Sequence, residues 1–471
     1  MFSVKKKTIV ILVLFLLLSN ILTFSVTKGI YNRGISTVPD YNDIDSGERE
    51  ELAAFLEVLD TLSKRYIEEV SVDELIEEAI KGMVNSLDDE QTSYMDSDYW
   101  QKMIDSMKGS FSGIGVEIAS VEGIITIINP IRGTPGEQAG LMTEDRIVEV
   151  DGQDIKGITA MDAVSLIRGP EGTTVTLKVE RDSEPDLLIF KIVRSNIMLP
   201  SVSSQMLQNN IGYIEIVTFD DHTGEDFSVA LMELENKKIS GLILDLRNNP
   251  GGLLSEAVKV AQELLPAGPI TYMVDRDGNK IDTYYSYGIA KPYRIVALVN
   301  AYSASAAEII AGALQDSNAG VLVGTKTFGK ATVQHLQDLP GNTGLRYTVA
   351  KYRTPNDRDI HGVGLEPDFF VELPNIAYHH PITLDLKKND ENSNVAHLQR
   401  ILLTIGYNVQ ESGVFDGSTE KAVRSFQSKH GLTVTGEVKH DTRKKLLEEL
   451  DNTLEKLDTQ KLKAIGILSK Q

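Results

Sequence analysis

The chain has 471 residues, 41% of them hydrophobic, which is enough for two to four packed domains and excludes wholesale disorder. Its formal net charge of −21 excludes a nucleic-acid partner, which needs a basic face. The absence of cysteine excludes disulfides, thiolate metal ligands and cysteine nucleophiles together.

In chain order, Lys5, Lys6 and Lys7 precede an apolar run from Thr8 to Val26. A cationic flank before such a run predicts a membrane anchor or signal peptide over residues 1–29. The flank stays cytoplasmic, so the rest of the chain is expected outside. No A-x-A cleavage site follows, which favours an uncleaved single-pass anchor; cleavage would give a secreted protein. Residues 30–47 are polar and acidic, with Gly34, Pro39 and Gly47, and read as a linker. Residues 48–108 are expected to be helical, because Leu52, Phe55, Leu56, Leu59 and Leu62 recur at helical spacing. Ser71 with Glu74 predicts a capping box for a helix running to Leu87. The role of this region is packing or, more sharply, dimerisation.

Residues 109–195 change to alternating strands, "GIGVEI", "IITIINP", "RIVEVDG" and "TVTLKVER", punctuated by glycine, with one helix in "TAMDAVSLIRG". Residues 196–376 read as α/β. "GYIEIVTF", "GLILDLR", "YRIVALVN" and "VLVGTK" are buried strands, "LLSEAVKVAQELL" and "SASAAEIIAGALQD" are helices, and "TGLRYTVAKYRTP" is β. Two loops lie at the ends of buried strands, where chemistry is commonly placed: "DLRNNPGG" at 245–252 and "NAYSASAAEII" at 300–310. A strand that turns into a helix through small residues exposes a serine at the helix N-terminus. The free N–H groups there favour an oxyanion. Either feature alone is weak: Ser303 fits a simple helix cap, and a lysine after glycine is commonly solvated.

"GTKTFGK" at 324–330 fits the front of a phosphate-binding loop. The hydroxyl required after its lysine is replaced by Ala331, and "ATVQHLQDL" alternates like a strand where a helix is needed, so a nucleotide site is not expected. The other use of Lys330 is as a general base for Ser305. Burial near Phe328 and Val333 would lower its pKa, and Gln334, on the same side of a strand, would bond the neutral amine without adding charge. A Ser–His–Asp set from His335 or His361 with Asp316 is arithmetically available, but nothing brings a ring to Ser305, and Asp316 reads as structural.

"FSGIGVEI" at 111–118 resembles the carboxylate-binding loop of PDZ domains, and "PGEQAGLMTEDRIVEVDGQDI" resembles their most recognisable stretch. The resemblance implies that Gly113, Ile114, Gly115 and Val116 capture a peptide carboxyl terminus by strand addition. "NAYSASAAEIIAGALQD", "VGTKTFGKATVQ", "LDLRNNPGG" and "HGVGLEPD" together resemble the carboxyl-terminal processing peptidases, serine proteases of Ser–Lys–Gln type, over roughly residues 50–375. The implied nucleophile is Ser305, the base Lys330 and its orienter Gln334. Ala306 N–H and Gly251 or Gly252 would line the oxyanion hole. Ala307 stands where family members often have serine, and the first serine lacks the glycine often found before it; neither change touches the nucleophile. Arg168 ends the PDZ helix, with Gly169 as its cap; its sharper expected role is regulatory, reaching the protease site when the PDZ domain closes.

Residues 381–450 contain "LQRILLTIGY", "GVFDGSTEKAVRSFQ" and "GLTVTGEVKHDT", and resemble the small helical peptidoglycan-binding module. Leu398, Leu402, Val423, Phe426 and Leu432 are its expected core, with any ligand contacts from loops around Gly413 and Gly436. Residues 451–471 read as a tail, a short helix or frayed end. The expected whole is a multidomain α/β protein: a helical N-terminal segment, a PDZ β-sandwich-like domain, an α/β protease core and a small all-α peptidoglycan-binding domain. Its implied function is an extracytoplasmic serine endopeptidase without metal or cofactor. It would act on protein or peptide substrates with unstructured C-termini, with peptidoglycan as a further partner, the membrane reached through the N-terminal helix, and a homodimer as the assembly. The alternative is an inactive PDZ and wall-binding scaffold, against which the intact Ser305, Lys330 and Gln334 argue.

Overall fold

The computed structural model describes residues 46–374, 382 and 384–469, apart from 122, 182 and 183. The predicted anchor, and the linker up to residue 45, lie outside the described residues. Among the described residues no helix is long and apolar enough to cross a membrane.

The chain forms two compact units, divided after Asp89. The first holds the helices Ser46–Arg65 and Val72–Asn85. The side chain of Ser71 accepts from Glu74 N–H at 3.3 Å, so the serine half of the expected cap forms. The helix stops at Asn85, two residues before the predicted end. Phe55, Leu56 and Leu62 of the predicted apolar stripe are exposed.

The second unit begins with the helix Ser97–Met107, capped by Asp96. Strands Ser110–Gly113 and Ser195–Met198 then pair as a two-stranded antiparallel neck. Between them lies an antiparallel sheet in the order Val116–Val121, Ile124–Pro130, Arg146–Val150, Thr174–Glu180 and Leu188–Val193. Its alternating residues Ile125, Ile127, Ile147, Val175, Leu177 and Val179 bury one face against the helix Ala160–Ile167. The expected Gly169 cap does not form. Gly169 lacks the left-handed backbone of such a cap, and a Cβ there would meet the Arg194 guanidinium at 2.9 Å. Arg194 itself caps the helix, donating to Ile167 O at 2.8 Å and Leu166 O at 3.2 Å.

The core carries two sheets. The first runs Val202–Met206, Ile211–Ile216, Gly241–Asp245, Arg294–Val299, Gly320–Gly324 and Phe369–Phe370, parallel after the first pair. Gly241–Asp245 is buried throughout, as its unbroken apolar reading predicts. In the second sheet Thr343–Arg353 is flanked by Thr332–Leu339, Ser93–Met95 and Gly268–Val274, with Lys280–Ser286 beyond. The helix Ala306–Asp316 is buried from Ala306 to Leu314 and touches both sheets. A further helix, Thr223–Asn236, follows strand Ile211–Ile216 and was not anticipated from sequence.

Helices Ser393–Thr404, Gly417–Lys429 and His440–Leu457 form a separate core around Leu398, Leu402, Val423 and Phe426, with Leu432 packed against it. Buried Gln399 accepts N–H groups from Ser412 and Gly413, and buried Gln427 accepts those of Thr435 and Gly436. The two glycine loops are thus pinned in the same way by internal amides. The tail is not frayed: Thr459–Leu468 is a helix whose Ala464 and Leu468 pack on the core sheet.

Candidate active site

Ser305 stands at the junction between strand Arg294–Val299 and the buried helix Ala306–Asp316. Its backbone has φ 54° and ψ −117°, a conformation that costs a non-glycine residue on the order of 1–3 kcal/mol. The surroundings hold it there. Its N–H donates to Glu308 Oε2 at 3.0 Å, and its carbonyl accepts the Tyr352 hydroxyl at 3.0 Å. The preceding Ala304 N–H donates to Asn249 O at 2.9 Å, which ties the serine loop to the "NNPGG" loop. Ser303 is not the helix cap: its hydroxyl donates to Leu246 O at 2.8 Å and accepts Asn300 N–H at 2.9 Å.

Glu308 is fully buried and accepts four donors: Ser305 N–H, Lys330 N–H at 2.9 Å, Gly329 N–H at 2.7 Å and the Thr327 hydroxyl at 2.5 Å. One carboxylate therefore sets the backbone of both the serine and the lysine. Tyr352 does the same from the other side, donating to Lys330 O at 2.7 Å. Burial pushes the Glu308 carboxyl above its ordinary value, and the four donors offset part of that rise. The same geometry disposes of the phosphate loop. The N–H groups of Gly329 and Lys330 are taken by a carboxylate, and a strand, not a helix, follows at Thr332.

The two candidate oxyanion glycines differ. Gly251 N–H donates to Asn249 Oδ1 at 2.8 Å, and a Cβ on Gly251 would lie 2.7 Å from Ser305 Cβ. Gly251 thus packs against the serine with its N–H occupied. Gly252 and Ala306 line the same cavity as Ser305, and their N–H groups have no acceptor among the described residues. Gly252 is held by a bridge to Phe219, whose carbonyl would lie 2.1 Å from an added Cβ.

Gln334 also lines the Ser305 cavity, and its buried Nε2 has no acceptor among the described residues. Lys330 lines a second cavity with Asn248, Pro250, Ala304 and Phe328. The expected strand alternation from Lys330 to Gln334 does not hold, because the strand starts at Thr332 and a bulge falls between Val333 and Gln334. Phe328 lines that cavity beside the lysine and is itself 63% exposed. Val333 is half-buried beside the serine cavity. Among the described residues no histidine lines that cavity. His335 is exposed against the Tyr347 ring, His361 accepts Ala331 N–H at 3.4 Å, and Asp316 pairs with Arg358.

Residues 210–371 match Peptidase family S41, 126–181 the PDZ domain, 391–446 a peptidoglycan binding domain, and 16–99 the activating protease CtpB N-terminal domain. The carboxy-terminal processing protease CtpA of Bacillus subtilis is 37% identical over 411 residues, 86% of this chain and 88% of that protein. The chain belongs to the carboxy-terminal processing proteases. CtpB of the same organism is 34% identical over 428 residues, 89% of this chain and 88% of that protein. A carboxy-terminal-processing protease of Bartonella bacilliformis is 38% identical over 331 residues, 69% of this chain and 76% of that protein.

Ile114 is buried, and its carbonyl and that of Gly115 accept Gly136 N–H and Ile131 N–H. The N–H groups of Ile114 and Gly115 have no acceptor among the described residues. Gly115, at φ 73°, leaves a Cβ no room beside Thr134. Gly113 ends the neck, and Val116 starts the edge strand of the PDZ sheet. Arg168 is not in the Ser305 cavity. Its guanidinium stacks 4.4 Å from the centre of the Phe111 ring, and burial lowers its pKa against the pull of Asp105. Sequence reasoning missed Glu308, Tyr352 and Asn249. Ser305-x-x-Glu308 has the spacing of a capping box, and that signal could have found Glu308.

Proposed function

We propose that the chain is an extracytoplasmic serine endopeptidase working through Ser305, Lys330 and Gln334. Ser305 Oγ attacks the scissile carbonyl. Neutral Lys330 takes the hydroxyl proton and returns it to the leaving amine, which breaks the C–N bond and leaves an acyl ester on Ser305. Water, deprotonated by the same lysine, then releases the acid. Gln334 orients the amine through its amide. Gly252 and Ala306 N–H bind the oxyanion, so of the two glycines Gly252 is the assigned donor. The observation that carries this reading is the cavity that joins a left-handed Ser305 with two N–H groups and a Gln334 amide that have no acceptor among the described residues. Tyr99, Met103, Met107, Ile309 and Leu336 line the same cavity and favour an apolar residue at the cleaved position of an unstructured segment.

The placement of Lys330 on a second cavity supports a resting arrangement in which peptide capture at Gly113–Val116 and a shift of the Arg168–Phe111 contact bring the lysine to the serine. The N-terminal apolar run would anchor the enzyme to the membrane, and the helices before Asp89 would form a homodimer through their exposed apolar side chains. The helical module after residue 390 would hold the enzyme near peptidoglycan. A fluorophosphonate that phosphonylates active serines tests the chemistry. Mass analysis is expected to find the adduct on Ser305, with slower labelling of Gly252→Ala and of Lys330→Arg. An adduct elsewhere, or equal labelling of all forms, would contradict it.

A further inference from the structure

The helix Thr459–Leu468 reaches the catalytic loops through one partly buried arginine. Arg247 follows the strand Gly241–Asp245 and opens the loop that ends in Gly251 and Gly252. A guanidinium has five N–H donors, and here all five are engaged. Nε donates to Asp245 Oδ1 at 2.9 Å. Nη2 donates to Asp245 Oδ2 at 2.5 Å and Asp458 Oδ2 at 2.9 Å. Nη1 donates to Asp458 Oδ1 at 3.0 Å and Gln460 Oε1 at 3.1 Å. Three of these five hydrogen bonds thus go to residues more than two hundred positions away in sequence. Burial opposes the charge of Arg247, but the two carboxylates outweigh it and hold the guanidinium above its ordinary pKa.

The tail is itself fixed. Asp458 caps the final helix through Lys461 N–H at 2.8 Å, and buried Gln460 donates to Val371 O at 2.8 Å. Ala464 and Leu468 cover the sheet face formed by Ile243, Val296, Leu298 and Val323. Gly241 gives Leu468 its place, since a Cβ there would lie 2.9 Å from the leucine. The peptidoglycan-binding-like helices therefore lie between the last strand of the core sheet, Phe369–Phe370, and the last helix that covers it. Helix His440–Leu457 ends one residue before Asp458.

We propose that Asp458 and Gln460, at the start of the last helix, are positioning residues of the protease, holding the Gly251–Gly252 loop through Arg247. This rests on the reading of Gly252 N–H as an oxyanion donor. An arginine deprived of Asp458 keeps Asp245 and one bond to Gln460, and loses the charged anchor that fixes the start of the loop. A displacement of about 1 Å at such a donor is enough to cost up to about a hundred-fold in rate.

The test compares the full-length wild type in detergent with Asp458→Ala, Gln460→Ala and Leu468→Ala. Three quantities are read: kcat and KM on an unfolded protein, melting temperature, and hydrogen exchange of residues 246–253. Asp458→Ala is expected to lower kcat about ten-fold or more with KM nearly unchanged, and to speed exchange of the loop. Gln460→Ala should do the same more weakly and stands in if Asp458→Ala fails to fold. Leu468→Ala is expected to lower the melting temperature while kcat and loop exchange stay close to wild type. Wild-type kcat and exchange in Asp458→Ala would overturn the proposal, as would losses that merely follow melting temperature in all variants. If the wild type itself cleaves nothing, the reading of the active site fails, and loop exchange alone still decides the role of Asp458.

Discussion

At the residue scale, the unusual group is a carboxylate with no place in the attack on substrate. Glu308 fixes the backbone of Ser305 and Lys330 together, so Glu308→Gln would set an amide N–H against donors and is expected to cost at least ten-fold in kcat. Its titration has a definite sign. A carboxyl raised by burial binds its proton more readily folded than unfolded. Its contribution to stability is full below the ordinary carboxylate range and is lost as pH rises through the raised value. Wild type is therefore expected to lose melting temperature relative to Glu308→Gln as pH rises through that window. A gap independent of pH would contradict the assignment. Gly252→Ala, with a Cβ 2.1 Å from Phe219 O, is expected to lower kcat about a hundred-fold in steady-state assays; an unchanged kcat would remove Gly252 from the oxyanion hole. Ser305, Gln334 and the "NPGG" loop were legible in sequence because motif spacing reports residues that share a loop. Tyr352 and Asn249 were not, because they act through backbone atoms of distant segments, and such contacts leave no local pattern.

At the element scale, the buried strands and the helix Ala306–Asp316 were readable from unbroken apolar runs, and the second sheet less so. Thr332–Leu339 alternates clearly, but its bulge at Val333–Gln334 breaks the period that would relate Lys330 to Gln334. The helix Thr223–Asn236 mixes acidic residues with only Phe227, Leu231 and Leu234 as large buried apolar side chains, which gives a thin signal. The helix Ser97–Met107 forms one wall of the serine cavity through Tyr99, Met103 and Met107. It is anchored by Trp100, which donates to Asp338 at 3.0 Å and lies over Gly344. Gly344→Ala would place a Cβ 2.0 Å from the Trp100 ring and is expected to displace this helix, raising KM and lowering the melting temperature. Unchanged KM and tryptophan fluorescence would show that the helix does not shape the cavity.

At the scale of the molecule, Glu144 of the PDZ domain joins Arg443 and His440 of the C-terminal module, with Arg443 also held by Asp385 at 2.6 Å. No periodicity in the sequence points to this clasp, since each partner alone reads as a surface charge. If the docked PDZ domain is the resting arrangement, Glu144→Ala shifts the balance away from it and is expected to raise cleavage in the absence of added peptide. An unchanged basal rate with unchanged peptide activation would separate the clasp from regulation. Peptide-bond cleavage by Ser305 and Lys330 is decided by comparing three forms of the protein. Cleavage of an unfolded protein is followed with the full-length chain as wild type, Ser305→Ala and Lys330→Arg, without nucleotide or metal, with and without peptides bearing a free carboxyl terminus. Cleavage is expected from wild type alone, faster with peptide, because arginine keeps the charge but cannot serve as a base. Cleavage by Lys330→Arg at the wild-type rate, or none by wild type even with peptide, would contradict it.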